Sequence, residues 1–295
     1  SSTSVAFLHP DLDVWSDLSY VPSNVTPMQG NLSGLSTDYF RVESVYDLST
    51  ANFLAVFSNA TDSVKFFSVS SAAATFSDFS WIDSLDSATK AKDVTVVNDR
   101  LVFFNMESSA GTNFPTRVFW SARGDPKNYD IASGAGFEDL MNMRGKGQRA
   151  IRWRDFLVLF TEVEIWRGTP TLDSYAFRFD RVKDAQGCRW PKTITATPAG
   201  VMFLGRDLEV YITDGSAVLP VGAVAAEGSS RIQTILRDTG TLFDRAWSLY
   251  NHSKNRYELY YVVKEGPIGH LTQLENQSIY ILREAYNKSS HLAML

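Results

Sequence analysis

Beyond residue 40 the chain alternates short apolar runs with turn residues, at the two-residue period of half-buried strands. Residues 45–48 (Val-Tyr-Asp-Leu) and 53–57 (Phe-Leu-Ala-Val-Phe), divided by a polar turn, predict a β-hairpin. The same unit recurs at 94–97 with 101–104, at 150–153 with 156–160, at 193–196 with 201–204, and at 247–250 with 257–261. The second strands begin at Phe53, Leu101, Phe156, Val201 and Tyr257, so successive units are separated by 48, 55, 45 and 56 residues. Further strands are expected at 117–120, 164–166, 175–179, 209–212 and 278–282. Helical pattern is scarce. One or two turns are expected at 138–144, and another short helix at 229–238.

A recurrence of about 50 residues with a few short strands per unit is the sequence signature of propeller blades. A four-stranded blade cannot bury both faces alone, whereas radially packed blades cover one another, which accounts for nearly continuous apolar runs. The expected fold is therefore all-β, a β-propeller of about five to six small antiparallel blades over residues 41–284. The competing architecture is a β-sandwich or a pair of them. Residues 1–40, rich in Ser, Pro, Asn and Asp, read as an irregular N-terminal arm that wraps over other structure or over a neighbouring subunit. Residues 285–295 read as a C-terminal tail.

Composition sharpens this picture. Aromatic residues make up 13% of 295 residues (19 Phe, 12 Tyr and 7 Trp), which suits a pleated, half-buried surface. A net charge of −5 removes any global electrostatic case for nucleic acid, so contact with DNA would have to be local. A single cysteine, Cys188, excludes an internal disulfide framework and a multi-cysteine zinc site. No apolar run of about 18 residues is present, and no signal peptide is visible. Asn-x-Ser/Thr at Asn24, Asn31, Asn59, Asn251, Asn276 and Asn287 reads as chance in a chain rich in those residue types.

Little in the sequence points to catalysis. His9, His252, His270 and His291 stand in no metal-binding spacing. Cys188 beside Arg189 lacks a marked base and orienting group, and reads as a small apolar residue packed between blades. Asp11, Asp13, Asp173, Asp180, Asp184, Asp207 and Asp214 could supply a glycosidase pair, but most sit where turns use carboxylates to hold backbone amides. Gly134-Ala135-Gly136 and Gly145-Lys146-Gly147 lack the spacing of nucleotide-binding loops and read as turn glycines. The expectation is a non-enzymatic protein with no cofactor and no metal.

Between residues 94 and 263 an ordered set of motifs carries a family resemblance. Asn98-Asp99-Arg100-Leu101 is followed by Arg117-Val118-Phe119-Trp120-Ser121 and then by Gly124-Asp125-Pro126-Lys127-Asn128-Tyr129. Ser133-Gly134-Ala135-Gly136 leads to Glu164-Ile165-Trp166-Arg167-Gly168. Gln186-Gly187-Cys188 precedes Gly200-Val201-Met202-Phe203-Leu204, then Val210-Tyr211-Ile212-Thr213-Asp214-Gly215, and finally the stretch from Asn251 to Tyr257. This order resembles the β-propeller tail hub proteins of short-tailed bacteriophages, the packaged-DNA stabilisation and tail-nozzle family. The resemblance covers more than half of the chain, and members of the family are generally longer.

The resemblance implies a virion tail component made in the bacterial cytoplasm, forming a homo-oligomeric, usually hexameric ring below the portal and adaptor. Such a ring would contact other tail proteins, extend the DNA conduit and retain the packaged genome. Five basic residues in eleven, Arg144, Lys146, Arg149, Arg152 and Arg154, stand with glycines and no acidic residue. They are the candidate contact to DNA, through salt-sensitive, sequence-independent attraction to phosphate. The alternative use of that stretch is a solvated loop, or pairing with Glu138, Asp139 or a neighbouring subunit. Trp15 and Tyr20 in the arm are candidate subunit contacts, since Trp and Tyr dominate interface energetics. Trp166 and Trp247, in predicted strands, read as core. The alternative function is a glycan-binding or receptor-binding propeller.

Overall fold

The computed structural model describes residues 6–9, 14–17, 41–68, 76–78, 88–171, 175–183, 186–222, 230–238 and 241–263. Over these residues the protein is all-β: short strands in small antiparallel sheets, with a single α-helix among the described residues. The chain divides into two compact units. One is Ser1–Met141 with Thr171–Ala176, and the other is Asn142–Pro170 with Phe177–Leu295.

In the first unit β1 (Ala6–His9) and β2 (Val14–Asp17) pair as an antiparallel hairpin within the segment expected to be an irregular arm. The strands β3 (Arg41–Asp47), β4 (Asn52–Ser58), β5 (Lys65–Ser68) and β6 (Phe76–Asp78) form a four-stranded meander. A second meander follows from β7 (Ala88–Val97), β8 (Arg100–Ser108), β9 (Asn113–Trp120) and β10 (Gly136–Asp139). The tight turn between β7 and β8 places Asn98 and Asp99 at φ of 52° and 58°. Asn and Asp tolerate the left-handed region that such hairpin turns demand.

One face of each meander meets the other. Val45, Leu54, Val56, Val94, Leu101, Phe103, Met106, Phe119 and Tyr129 belong to a single buried cluster. Each large side chain in it contributes about 1.5–3 kcal/mol by leaving water. The expected helix at 138–144 is not formed. Gly136 to Asp139 pair with β9 instead, and Asp139 lies opposite Arg117. The Arg117 guanidinium donates to both Asp139 carboxylate oxygens at 2.7 Å and lies between the rings of Phe114 and Phe137. A cross-strand partner outweighs the weak helical pattern of this stretch.

The second unit repeats the plan. Its first meander is β11 (Gly147–Trp153), β12 (Phe156–Thr161), β13 (Ile165–Pro170) and β14 (Phe177–Lys183). Its second is β15 (Thr195–Thr197), β16 (Gly200–Leu204), β17 (Val210–Thr213) and β18 (Val218–Pro220). Ile151, Trp153, Val158, Phe160 and Ile165 of the first pack on Val201, Phe203, Tyr211 and Val218 of the second, with Cys188 and Ile194 between them. The opposite face of the second meander carries Met202, Leu204 and Val210. These meet Ile232 and Leu236 of helix α1 (Arg231–Asp238), and Tyr257 and Leu259 of the two-stranded pair β19 (Thr241–Asn251) and β20 (Arg256–Val263). Ser230 precedes the helix and its hydroxyl accepts from the Gln233 amide, the usual way to satisfy a first-turn N–H.

All five predicted hairpins are present, with Tyr46 opposite Phe53, Val97 opposite Arg100, Trp153 opposite Phe156, Thr197 opposite Gly200 and Tyr250 opposite Tyr257. The fourth starts later than expected, because Pro191–Thr193 form a short 3-10 turn ahead of β15. The predicted strand at 278–282 lies outside the described residues. Trp247 is not core. It is 43% exposed and stacks on its cross-strand partner Tyr260, ring centroids 4.2 Å apart and planes within 9°.

Candidate nucleic-acid interface

The motif residues that lie between sheets prove to be structural. Arg100 donates to the carbonyls of Ser121 and Gly134 at 2.7 and 2.8 Å, tying two loops to the start of β8. The Gly124 amide donates to Asp99, while its carbonyl accepts from the Leu48 amide, so this glycine bridges the turns of two neighbouring sheets. Its φ of 71° is one that glycine adopts without strain. Tyr129 is fully buried and stacks on Phe119 at 4.7 Å, and burial raises its phenol well above the ordinary range. The Cys188 amide donates to Thr161, and burial pushes its thiol up to about 11. A thiol so withdrawn is a packing group, not a nucleophile.

The five basic residues singled out in the sequence do not form one patch. Arg149 is buried, 7% exposed, and donates through one nitrogen to the carbonyls of Pro191 and Ile194. A bulge between Gly147 and Arg149 sets this orientation. Arg149 is therefore a clamp holding the 3-10 turn against β11, unlike the phosphate contact expected of it. The remaining four are exposed. They divide between the two ends of β11, which at about 3.3 Å per residue are roughly 20 Å apart.

At one end Arg144 and Lys146 precede β11. The fully buried carboxylate of Glu164 accepts from the Arg144 amide at 2.7 Å, from Arg144 Nε at 3.2 Å and from Trp166 Nε1 at 2.7 Å. Arg181, cross-strand to Trp166, approaches the same carboxylate at 3.9 Å. Two half-exposed guanidiniums thus share one buried anion and leave a positive surface. At the other end Arg152 Nε donates to the Arg154 carbonyl at 2.9 Å, and the Arg154 guanidinium lies over the Trp153 ring at 4.3 Å.

Strand pairing brings further cations to that second end, which spacing along the chain gave no means of finding. Arg167 lies over the Phe156 ring at 4.2 Å, and Phe156 sits edge-on to Trp153. Arg178, opposite Thr169 on β14, is 73% exposed and paired with Asp180 at 3.0 Å. Residues 142–183 hold nine Arg and Lys against five Asp and Glu, so this sheet and its approaches carry +4 in a chain of −5. Trp153 and Phe156 pack in the core between the two meanders, so the outward charge at this end is that of Arg152, Arg154 and Arg178, which suits a phosphate backbone or an acidic polypeptide.

The other candidates have local roles. Asp207 accepts from the Tyr211 hydroxyl at 2.6 Å and from the Glu209 amide, and Asp214 accepts from the amides of Ser216 and Ala217. These are the turn-bracing carboxylates expected, while Asp11, Asp13, Asp173 and Asp184 lie outside the described residues. Trp15 stands opposite Leu8 in the β1–β2 hairpin, and Tyr20 is outside the described residues. His252 lies in the β19–β20 turn, and His270 and His291 are also outside. Among the described residues no three His, Cys, Asp or Glu gather closely enough to hold a metal ion, and no helix is long and apolar enough to cross a membrane.

No protein-family model matches the chain, and no curated protein matches it.

Proposed function

We propose that this chain is a non-enzymatic structural subunit of a bacteriophage tail, a β-propeller whose ring forms part of the DNA conduit below the portal and adaptor and helps retain the packaged genome. The observation that carries the reading is the architecture of the motif-bearing region. Consecutive four-stranded meanders pack face to face in sequence order within each unit, and the motifs that resemble tail hub proteins run through their strands and turns. Four such meanders, followed by the two-stranded pair β19–β20, are compatible with a propeller of five to six blades. Arg144, Lys146, Arg152 and Arg154 are the exposed cations that would give passing DNA weak, sequence-independent contact.

Mass photometry on the purified protein, alone and with isolated portal–adaptor complex, tests this reading. A discrete ring, alone or on the portal, is the expected result. A strict monomer that ignores the portal would refute it. One feature favours a second reading, a glycan-binding propeller: the stacked Trp247 and Tyr260 offer an exposed aromatic surface of the kind on which sugar rings lie. A glycan array with wild type and Trp247→Ala separates the two.

A further inference from the structure

Charge is divided unequally along the chain. The second unit holds 20 Arg and Lys against 15 Asp and Glu, and the first unit 8 against 18, so a chain of −5 separates into +5 and −10. Backbone geometry gathers part of that positive excess at one end of the two meanders of the second unit. Gly147 at the start of β11 pairs with Thr161 at the end of β12, and Ile165 at the start of β13 pairs with Lys183 at the end of β14. The approach to β11, the β12–β13 turn and the end of β14 therefore share one end of that sheet. The Cys188 amide donates to the Thr161 carbonyl at 2.9 Å, which lays residues 186–194 along the same end. The Leu204 amide donates to the Thr193 hydroxyl at 3.3 Å, and the Gly205 amide to the Glu209 carbonyl at 2.8 Å, which brings in the β16–β17 turn.

These segments carry Arg144, Lys146, Arg181, Arg189 and Arg206, all exposed, and Lys192, half-buried. Their acids are mostly withdrawn. Glu164 and Glu209 are buried, and Glu162 is half-buried and accepts from the Gln148 side-chain amide at 3.0 Å. Asp207 is exposed and accepts from the Tyr211 hydroxyl at 2.6 Å. At the opposite end Arg152, Arg154 and Arg178 stand with exposed Asp155, Asp180 and Asp214, so their charge is largely offset. The exposed large apolar side chains among the described residues of this unit are Leu219, Trp247, Tyr260 and Val262, none of them in the segments that carry the cations. The centre of a protein–protein interface is apolar and poor in charge, which this end is not. A surface of guanidiniums without an apolar centre fits an extended chain of phosphates, each of which Arg can meet with two donors.

We infer that this end of the second unit is a nucleic-acid contact surface, to which Arg181, Arg189 and Arg206 belong together with Arg144 and Lys146. The inference rests on the reading of this chain as part of a DNA conduit and locates the contact on the fold. The contact is with phosphates, so it is indifferent to base sequence.

Fluorescence anisotropy with short DNA duplexes of two unrelated sequences tests it on the full chain, between about 50 and 200 mM salt. Wild type should bind both duplexes alike, with affinity falling as salt rises. Each phosphate contact contributes about 0.9 to the slope of log affinity against log salt, so Arg189→Gln/Arg206→Gln should lower that slope by about two and weaken binding on the order of tenfold or more. Arg189→Lys/Arg206→Lys keeps the charge and should keep most of the slope. Lys90→Gln/Arg123→Gln changes the net charge equally but lies in the first unit, and should leave binding at the wild-type value. Thermal melts check folding; either single substitution, with a change of about one in slope, replaces the Gln pair if it does not fold.

Equal losses from the Gln pair and from the first-unit pair overturn the inference, because net charge alone then governs binding. Unchanged binding by the folded Gln pair overturns it as well, and so does wild type that binds no DNA at the lowest salt. Polyglutamate held more tightly than DNA at equal charge would make the partner an acidic polypeptide instead. Mass photometry on the same samples keeps the ring separate. A ring that assembles without binding DNA removes this contact alone, whereas a strict monomer whose DNA binding is lost in the Gln pair keeps the contact and removes the ring.

Discussion

Arg149→Met separates a structural arginine from the surface cations that flank it in sequence. Arg149 is buried, and its guanidinium donates to the carbonyls of Pro191 and Ile194, at the turn that leads into β15. Methionine fills similar volume but cannot donate. Each carbonyl stranded away from water costs about 1–3 kcal/mol. Removing a buried cation returns part of that. The net loss is therefore about 2–4 kcal/mol, a fall in melting temperature of roughly 5–15 °C at the ~2–4 °C per kcal/mol of a domain this large. Thermal denaturation followed by circular dichroism measures it, and retention on immobilised DNA at fixed salt is measured on the same sample. Melting should fall while DNA retention by the folded variant stays at the wild-type value. Arg152→Gln should give the opposite pair of results, since Arg152 is exposed. An Arg149→Met variant that melts like wild type but binds DNA more weakly would refute the clamp and return Arg149 to the surface.

Three further outcomes follow from local geometry. Burial raises the Asp47 carboxyl, but hydrogen bonds from Ser49 and Thr50 outweigh this and hold it below its ordinary value. Its contribution is thus fully present above the unfolded carboxyl pKa of about 3.9 and lost as pH falls through the folded value. Asp47→Asn should accordingly lower the melting temperature at pH 7 more than at pH 3, and an equal loss at both would contradict this. Cys188, with its thiol pushed up to about 11, should resist a disulfide thiol reagent at pH 8 until denaturant is added, then react with one equivalent; rapid labelling of the native protein would show the packing to be open. Gly215→Ala should destabilise by about 1–3 kcal/mol in urea unfolding, because the residue sits at φ of 80° and an added Cβ would overlap the Phe156 ring. Retention of wild-type stability would mean that the turn moves freely away from Phe156.

Much of the fold was legible in the chain because its determinants are local. Short apolar runs such as 53–57 and 101–104 mark strands, and a pair such as Asn98-Asp99 accepts the backbone of a two-residue turn, so the hairpins could be placed one by one. What an outward position meets is a different matter. Trp247 has the alternation of a core residue, yet its partner Tyr260 lies with it on the exposed side of the two-stranded sheet. At 138–144 the local pattern suggested helix, but Arg117, some twenty residues earlier, supplies Asp139 with an ion pair that only strand geometry allows.

The candidate site shows the same division. Sequence alone established that residues 144–154 concentrate positive charge in an acidic chain. Tertiary structure decided that an extended strand carries that charge to two separate ends, that a bulge turns Arg149 inward, and that Arg167, Arg178 and Arg181 join from strands paired at a distance. Charge is counted along the chain, but a field acts through space. Register and bulges determine which charges share a surface, and they are fixed by contacts between residues far apart in sequence.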